Sequence, residues 1–510
     1  MNSLSSPDTR SDNEKHTNIV TVKSFLKLDD GDLDEGAKFL LEHPQHAEYS
    51  PEEAEKVLKK IDWMLMPIMT LIITFAAADK IIISNAAVYG MRKDLNLVGT
   101  QYSWLGSIFY FGYLIAEFPA NFLLQRFPVG KTLCLSFAVW NVVLMCMAAG
   151  NNFAAMASMR FLLGMGEAFL FPGCSVITAM FYKKSEQPFR TAIWFSGFSS
   201  LVTGILSYAV GHANSKIANW RLLFLVFGCI TLFLTFCLYL ILPDSPMTCK
   251  WLSEKEKYIA VDRTAENRTG VKNRKLKKDQ IIEAAKDWKT WIMALFALCN
   301  NISNGGLVTF AAQIVSGLGY SPIRTTLLGM PTGVFMTTSS WIIALVTFFS
   351  PRKFRTTAAA IVCLCPLICC VLMMKLPREN KTSLLIAYYF FYFYWGPYVC
   401  MTAICYANTA GHTKKTVVNA VNFTAYCVSN IIAPQFFITS EAPGYATGYH
   451  SILGFTTASF LCIVTYGTGC YFENKRRDKK FGNADDNFDA EVDALDSTDK
   501  QKEAFFRYVW

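Results

Sequence analysis

Apolar runs of about twenty residues, separated by short polar stretches, recur along the chain. They fall near residues 62–88, 102–124, 131–149, 154–180, 191–211 and 221–242, then 289–315, 327–349, 356–375, 384–408, 416–438 and 451–472. A helix rises about 1.5 Å per residue, so about 20 apolar residues cross a bilayer core. The pattern therefore predicts an all-α integral membrane protein with twelve transmembrane helices. Six lie on each side of a polar segment, 243–288, which opens on the breaker "PDSP" (243–246) and continues into the helical pattern "WLSEKEKYIAVDR". The expected organisation is an N-terminal tail (1–60), a six-helix bundle (61–242), a central loop (243–288), a second six-helix bundle (289–472) and a C-terminal tail (473–510). Two such halves are the plan of a secondary transporter whose substrate site lies near the membrane midplane. A pore-loop signature, which a channel would show, is not visible.

Composition sharpens this picture. The chain has 510 residues, of which 52% are hydrophobic and 17% charged, against about 25% charged in soluble domains. The charges gather in the tails: residues 1–60 hold 8 Lys/Arg and 13 Asp/Glu. Such tails cannot bury a core and read as largely disordered, with "FFRYVW" as an amphipathic end. The polar, acidic start carries no signal-peptide pattern, so the first span is expected to direct its own insertion. An even number of spans puts both termini on the side of the central loop. That side also receives Lys183, Lys184, Arg190, Arg352, Lys353, Arg355, Lys414, Lys415 and "NKRRDKK" (474–480), so both termini are expected in the cytoplasm. The plasma membrane is the expected location, with the endoplasmic reticulum or vacuole as alternatives. The net charge of +9 is scattered, without the basic-aromatic stripe of a nucleic-acid surface. The sixteen cysteines lie mostly within apolar runs and show no zinc spacing, and "CLCPLICC" (363–370) reads as packing. No histidine reads as a metal ligand. Asn380 opens a glycosylation sequon in an expected external loop, whereas Asn267 is expected to face the cytosol and stay bare.

The chemistry begins with "FAAADKIIISN" (75–85), where Asp79 and Lys80 interrupt the first span. A charge at the centre of a bilayer costs about 2.5–3.5 kcal/mol on insertion scales, so such residues face a protein interior or cavity. Adjacent helical positions lie about 100° apart, so each residue needs a partner on another span. The fourth span, "MRFLLGMGEAFLFPG" (159–173), offers Arg160 and Glu167 two turns apart on one face, with Gly164 and Gly166 keeping the helix slim. These four residues are expected to form an electrostatic cluster. Burial disfavours the charged form of a carboxyl group, so such an acid can take and release a proton near neutral pH. Lys80 and Arg160 are candidates for holding an anion. The second half offers neutral groups: Asn300 and Asn304 on one face of the seventh span, and Tyr398 in the aromatic run "YYFFYFYWGPY" (388–398) with its Gly-Pro break. Amides and rings suit a small, planar solute that forms hydrogen bonds; they also glue and pack spans.

The Asp-Lys pair of the first span and the R-x6-E of the fourth resemble the anion:cation symporter branch of the major facilitator superfamily. "GMRKDLNLVGTQYSWLGSIFYFGYLIAEFPANFLLQRFPVGK" (90–131), "FYKKSEQPFRTAIWFSG" (181–197), "NWRLLFLVFG" (219–228), "WLSEKEK" (251–257) and "NISNGG" (301–306) are similar to the fungal allantoate permease group. The resemblance covers about 60–480. It implies the superfamily fold and proton symport of a small organic anion: allantoate or ureidosuccinate, a vitamin-like carboxylate, cysteine or a dipeptide. It implies that Asp79 and Glu167 sense protons and that Lys80 and Arg160 serve the anion or stabilise those acids. Many relatives carry Arg in place of Lys80, a departure that removes a bidentate grip. "QRFPVGK" (125–131) stands where the superfamily's basic loop latches the second span against the eleventh; its usual acid is missing, and Glu117, Arg126 and Lys131 are the candidate latch. No phosphate-binding loop, hydrolytic triad or metal motif points to an enzyme. No cofactor is expected beyond the coupling proton, and the chain is expected to work as a monomer. An exporter, a uniporter and a nutrient-sensing receptor on the same frame are the alternatives.

Overall fold

The computed structural model describes residues 35–46, 48–194, 197–265, 277–349, 354–482, 484 and 497–510. Residues 1–34, Asn267, Arg352 and Lys353 lie outside them. The described residues are helical, in the expected twelve crossings. Ten of these are helices long and apolar enough to span a membrane. In the first half they are Pro51–Val88, Gln101–Arg126, Val129–Met147, Phe153–Phe181 and Asn219–Ile241; in the second, Trp288–Ser316, Pro322–Thr347, Arg355–Lys375, His412–Phe436 and Ala446–Phe481. The fifth and tenth crossings are broken. The fifth is Gln187–Trp194 followed by Ser199–Gly211. The tenth is Lys381–Phe391, a 3-10 turn at Tyr392–Tyr394, then Trp395–Ala407. Pro397 explains the second break, because proline has no N–H and its ring crowds the carbonyl four residues earlier.

The first span starts sharply. Ser50 accepts from the Glu53 backbone, and Glu53 accepts from the Ser50 backbone, closing a capping box. Within the first half, the second span packs on the fourth, the third on the fourth and sixth, and the first on the fifth and sixth. Within the second half, the seventh packs on the eleventh and twelfth, the ninth on the twelfth, and the eighth on the tenth. The halves meet through the first and seventh, second and eleventh, and fifth and eighth spans. Hydrogen bonds across this seam gather on the side away from the termini. Ala312 donates to Ser84 at 2.9 Å, Tyr102 to the Thr309 carbonyl at 2.6 Å, and Arg92 to Thr439 at 3.2 Å.

Each half carries its own cover on the terminal side. Under the first half, Glu35–Glu42 packs on Glu254–Ala265 through Leu40, Tyr258 and Val261. Ion pairs Lys60–Glu256 (2.7 Å) and Arg263–Glu186 (2.7 Å) fasten it, and Arg190–Asp62 (2.9 Å) ties the fifth span to the first nearby. Under the second half lie Lys278–Lys286 and the end of the chain. Here the expectation of a disordered C-terminal tail is corrected for residues 497–510. Asp499 is buried between Lys414 (2.7 Å) and Lys289 (3.3 Å). Arg477 donates to the Asp499 and Phe506 carbonyls and to the Tyr508 hydroxyl. Asn408 both donates to the Val509 carbonyl and accepts from its N–H. These partners are remote in sequence, which is why composition alone reads the segment as disordered. Burial alone would push Asp499 up; the ammonium groups of Lys289 and Lys414 overcome it and hold the carboxyl down at about 2.

Candidate functional site

Two features meet near the centre of the first half: a buried charge cluster and the wall of a cavity between the halves. The cluster depends on a close approach of the second and fourth spans. A Cβ on Gly112 would lie 2.1 Å from the Phe161 carbonyl oxygen, and one on Gly164 only 2.0 Å from that of Phe109. Only glycine permits this contact. It seats Arg160 and Glu167 beside the first span.

Lys80 Nζ pairs with Glu167 Oε1 at 2.6 Å, and its ammonium also lies 5.5 Å from the Phe109 ring and 5.6 Å from that of Tyr113. Asp79 is wholly buried, and its Oδ2 accepts from Trp140 Nε1 at 2.7 Å. Arg160, 2% exposed, donates from Nε to the Leu105 carbonyl at 3.2 Å and lies over the Phe109 ring at 5.1 Å. Of the two cross-span pairs the sequence suggests, Lys80–Glu167 is made at contact distance. Asp79 and Arg160 make no contact ion pair among the described residues, each being held by its own partner, Trp140 and Leu105. Asp79 Oδ1, Glu167 Oε2 and Arg160 Nη1 are buried without a hydrogen-bond partner. In a low-dielectric interior such groups are costly, so this cluster is poised rather than saturated.

The cavity, about 640 Å³, lies between the halves and is lined by the first, second, fifth, seventh, eighth, tenth and eleventh spans. Lys80 lines it and is the only charged residue among the described lining. Asp79, Glu167 and Arg160 stand behind that wall. Lys80 therefore connects the two features: its head is held by Glu167, while its side chain, 20% exposed, borders open space.

The remaining candidates separate. Asn304 lines the cavity, donating to Asn430 and accepting from Tyr394, each at 2.8 Å. Asn300 lies off the wall, donating to the Tyr394 carbonyl and accepting from Ser459. Tyr398 is also off the wall, stacked on Tyr426, which itself lines the cavity. Glu117 accepts from Asn121 at 3.1 Å, and Arg126 is exposed. Lys131 reaches Asp244 at 3.6 Å, and its backbone N–H donates to the same carboxylate. The structure thus joins the second-to-third loop to the end of the sixth span, and Glu117, Arg126 and Lys131 are not brought together. Trp140 and Tyr426 escape a sequence reading, because an aromatic within an apolar run carries no mark of the direction it faces.

A family model described as Major Facilitator Superfamily matches residues 69–434. The chain is 34% identical over 468 residues to the allantoate permease of Saccharomyces cerevisiae, covering 88% of this chain and 84% of that protein. It is 32% identical to "Uncharacterized transporter C417.10" of Schizosaccharomyces pombe, covering 94% of each. Among solved structures, the inward-facing, unoccupied form of a bacterial homologue of the human lysosomal transporter Spinster aligns with a TM-score of 0.60 at 15% identity. That alignment covers 82% of this chain and 97% of the bacterial one.

Proposed function

Because the chain belongs to the Major Facilitator Superfamily and is a multi-pass membrane transporter, we propose that it imports a small organic anion by proton symport. The plasma membrane is its proposed site, with both termini in the cytoplasm. The observation that carries this reading is the double role of Lys80, the one cation among the described lining of the cavity and the partner of Glu167 at 2.6 Å.

A solute carboxylate and Glu167 then compete for one ammonium. With Glu167 ionised, Lys80 is occupied. A proton on Glu167 removes that partner and frees Lys80 for the incoming anion, so each stabilises the other's binding. Asp79, fixed by Trp140, and Arg160, fixed by Leu105, hold the local field in place behind the wall. The seam supports alternating access. Bonds on the side away from the termini seal the halves there, and rocking of one bundle against the other would open that side. The likeness to an allantoate permease supports the anion class.

The test is accumulation by the purified full chain in liposomes under an imposed proton gradient, with anions of the classes above. Wild type should concentrate the anion when the outside is acidic. Glu167→Gln should retain anion exchange and lose gradient-driven accumulation. Accumulation indifferent to the gradient, or undiminished in Glu167→Gln, would overturn the coupling.

A further inference from the structure

We infer that the cavity is built for a planar aromatic monocarboxylate, bound with its carboxylate at Lys80 and its ring against the aromatic wall of the tenth and eleventh spans. This rests on the anion-transport reading and narrows it. Three features of the lining carry it.

The first is charge. Lys80 is the only charged residue among the described lining, so the site neutralises one negative charge. The two nearby acids are engaged or hidden: Glu167 holds Lys80, and Asp79 is wholly buried against Trp140. A solute ammonium would find no carboxylate in the described lining, which disfavours amino acids and dipeptides, two solute classes that the sequence leaves open.

The second is hydrogen bonding. The fifth and eighth spans present many hydroxyls, and most of their protons are committed; Thr325 Oγ1 is a buried exception, without a partner among the described residues. Ser200 donates to the Met330 carbonyl, Thr203 to Ser199, Thr326 to Ile323, Thr332 to Gly329 and Thr337 to Gly333. A carboxylate or a sugar needs donors, and this stripe has few to give. The carboxylate is thereby directed to Lys80, and a polyol body is poorly matched.

The third is shape and surface. Tyr388, Tyr392, Tyr394 and Trp395 of the tenth span and Tyr426 of the eleventh all contribute to the lining. They are set by one another: the Tyr388 and Tyr392 hydroxyls lie 3.1 Å apart, Tyr394 is tied to Asn304, and Tyr426 stacks on Tyr398. Rings fixed in this way offer flat, apolar faces at small entropic cost, the setting in which a second aromatic ring gains offset-stacked or edge contacts. A cavity of about 640 Å³ lies within the range of about 300–1,000 Å³ typical of sites for drug-sized ligands, room enough for one or two rings.

The experiment measures binding of four matched probes to the purified, detergent-solubilised full chain at pH 6 by calorimetry. Benzoate has the ring and the charge. Cyclohexanecarboxylate keeps the charge and loses planarity, benzamide keeps the ring and loses the charge, and phenylalanine adds an ammonium. The expected result is benzoate binding at least 10-fold tighter than each of the other three. Tyr392→Leu should lower affinity for benzoate about 10-fold and for cyclohexanecarboxylate less than 3-fold. Equal binding of the two carboxylates overturns the ring assignment and leaves anion transport standing. Phenylalanine or benzamide binding as tightly as benzoate overturns the charge argument. Failure of benzoate to bind, in a protein that accumulates another anion under a proton gradient, overturns this inference alone.

Discussion

The two halves of the molecule spend polarity differently. The first gathers four ionisable side chains, Asp79, Arg160 and Glu167 buried and Lys80 half-buried beside them, and leaves three of their polar atoms without partners. At comparable positions in the second half stand neutral groups, Asn300, Asn304, Asn430 and Tyr394, closed into a hydrogen-bonded set. Charges buried in the second half, among them Asp287, Lys289, Lys414, Arg477 and Asp499, sit at its terminal face and hold the tail. A satisfied network fixes a shape, while an incomplete one can change its protonation or its partner. Under the proposed symport, the contrast gives the coupling chemistry to the first half and much of the solute-shaping surface to the second.

The contrast can be broken most sharply at Lys80. Lys80→Met should reduce anion transport at least 100-fold, measured as uptake into proteoliposomes, because it removes the cavity's one described cation and leaves Glu167 buried and unpaired. Losing one partner of a buried pair costs about 3–5 kcal/mol, so expression of the double variant Lys80→Met/Glu167→Gln serves as the folding control and should recover.

Next in size is the tail. Asp499→Asn should free residues 497–510, read as faster proteolytic cleavage at the C-terminal end, while benzoate affinity stays within 2-fold. The pH dependence has a definite sign. Asp499 is held at about 2 when docked, below its ordinary 3.8. Its contribution to docking is therefore complete above about pH 4–5 and is lost as pH falls through about 2. Tail protection should be flat from pH 5 to 8. A loss of protection between pH 7 and 5 would contradict this assignment.

The smallest effects are expected in the neutral set. Asn304→Ala removes a wall residue whose bonds go to Asn430 and Tyr394, and should weaken anion affinity about 3- to 10-fold through displacement of Tyr394. Tyr398→Phe, off the wall, should change affinity less than 2-fold.

The sequence carries the first half of this comparison better than the second. Charges inside apolar runs are conspicuous because lipid penalises them, so Asp79, Lys80 and Glu167 stand out before any coordinates. The twelve crossings and the tenth-span break at Tyr392–Tyr394, just ahead of Gly396-Pro397, are equally legible, since they follow from run length and proline chemistry. The facing of Asn300 against Asn304, and of Tyr398 against Tyr426, is not. Both pairs sit four residues apart or on different spans in runs that are polar or aromatic nearly all round, and only packing decides which residue reaches the cavity. Trp140 is hidden for the same reason. The tail strap is hidden because Asp499 finds Lys414 and Lys289 across 85 and 210 residues of chain.

The most direct measurement is the number of protons taken up when the anion binds, obtained by calorimetry of the purified chain in buffers of different ionisation enthalpy at pH 7. Sharing of Lys80 between Glu167 and the anion predicts a net uptake approaching one proton per anion in wild type and close to zero in Glu167→Gln. Anion binding without proton uptake in wild type, or with the same uptake in the variant, would contradict it.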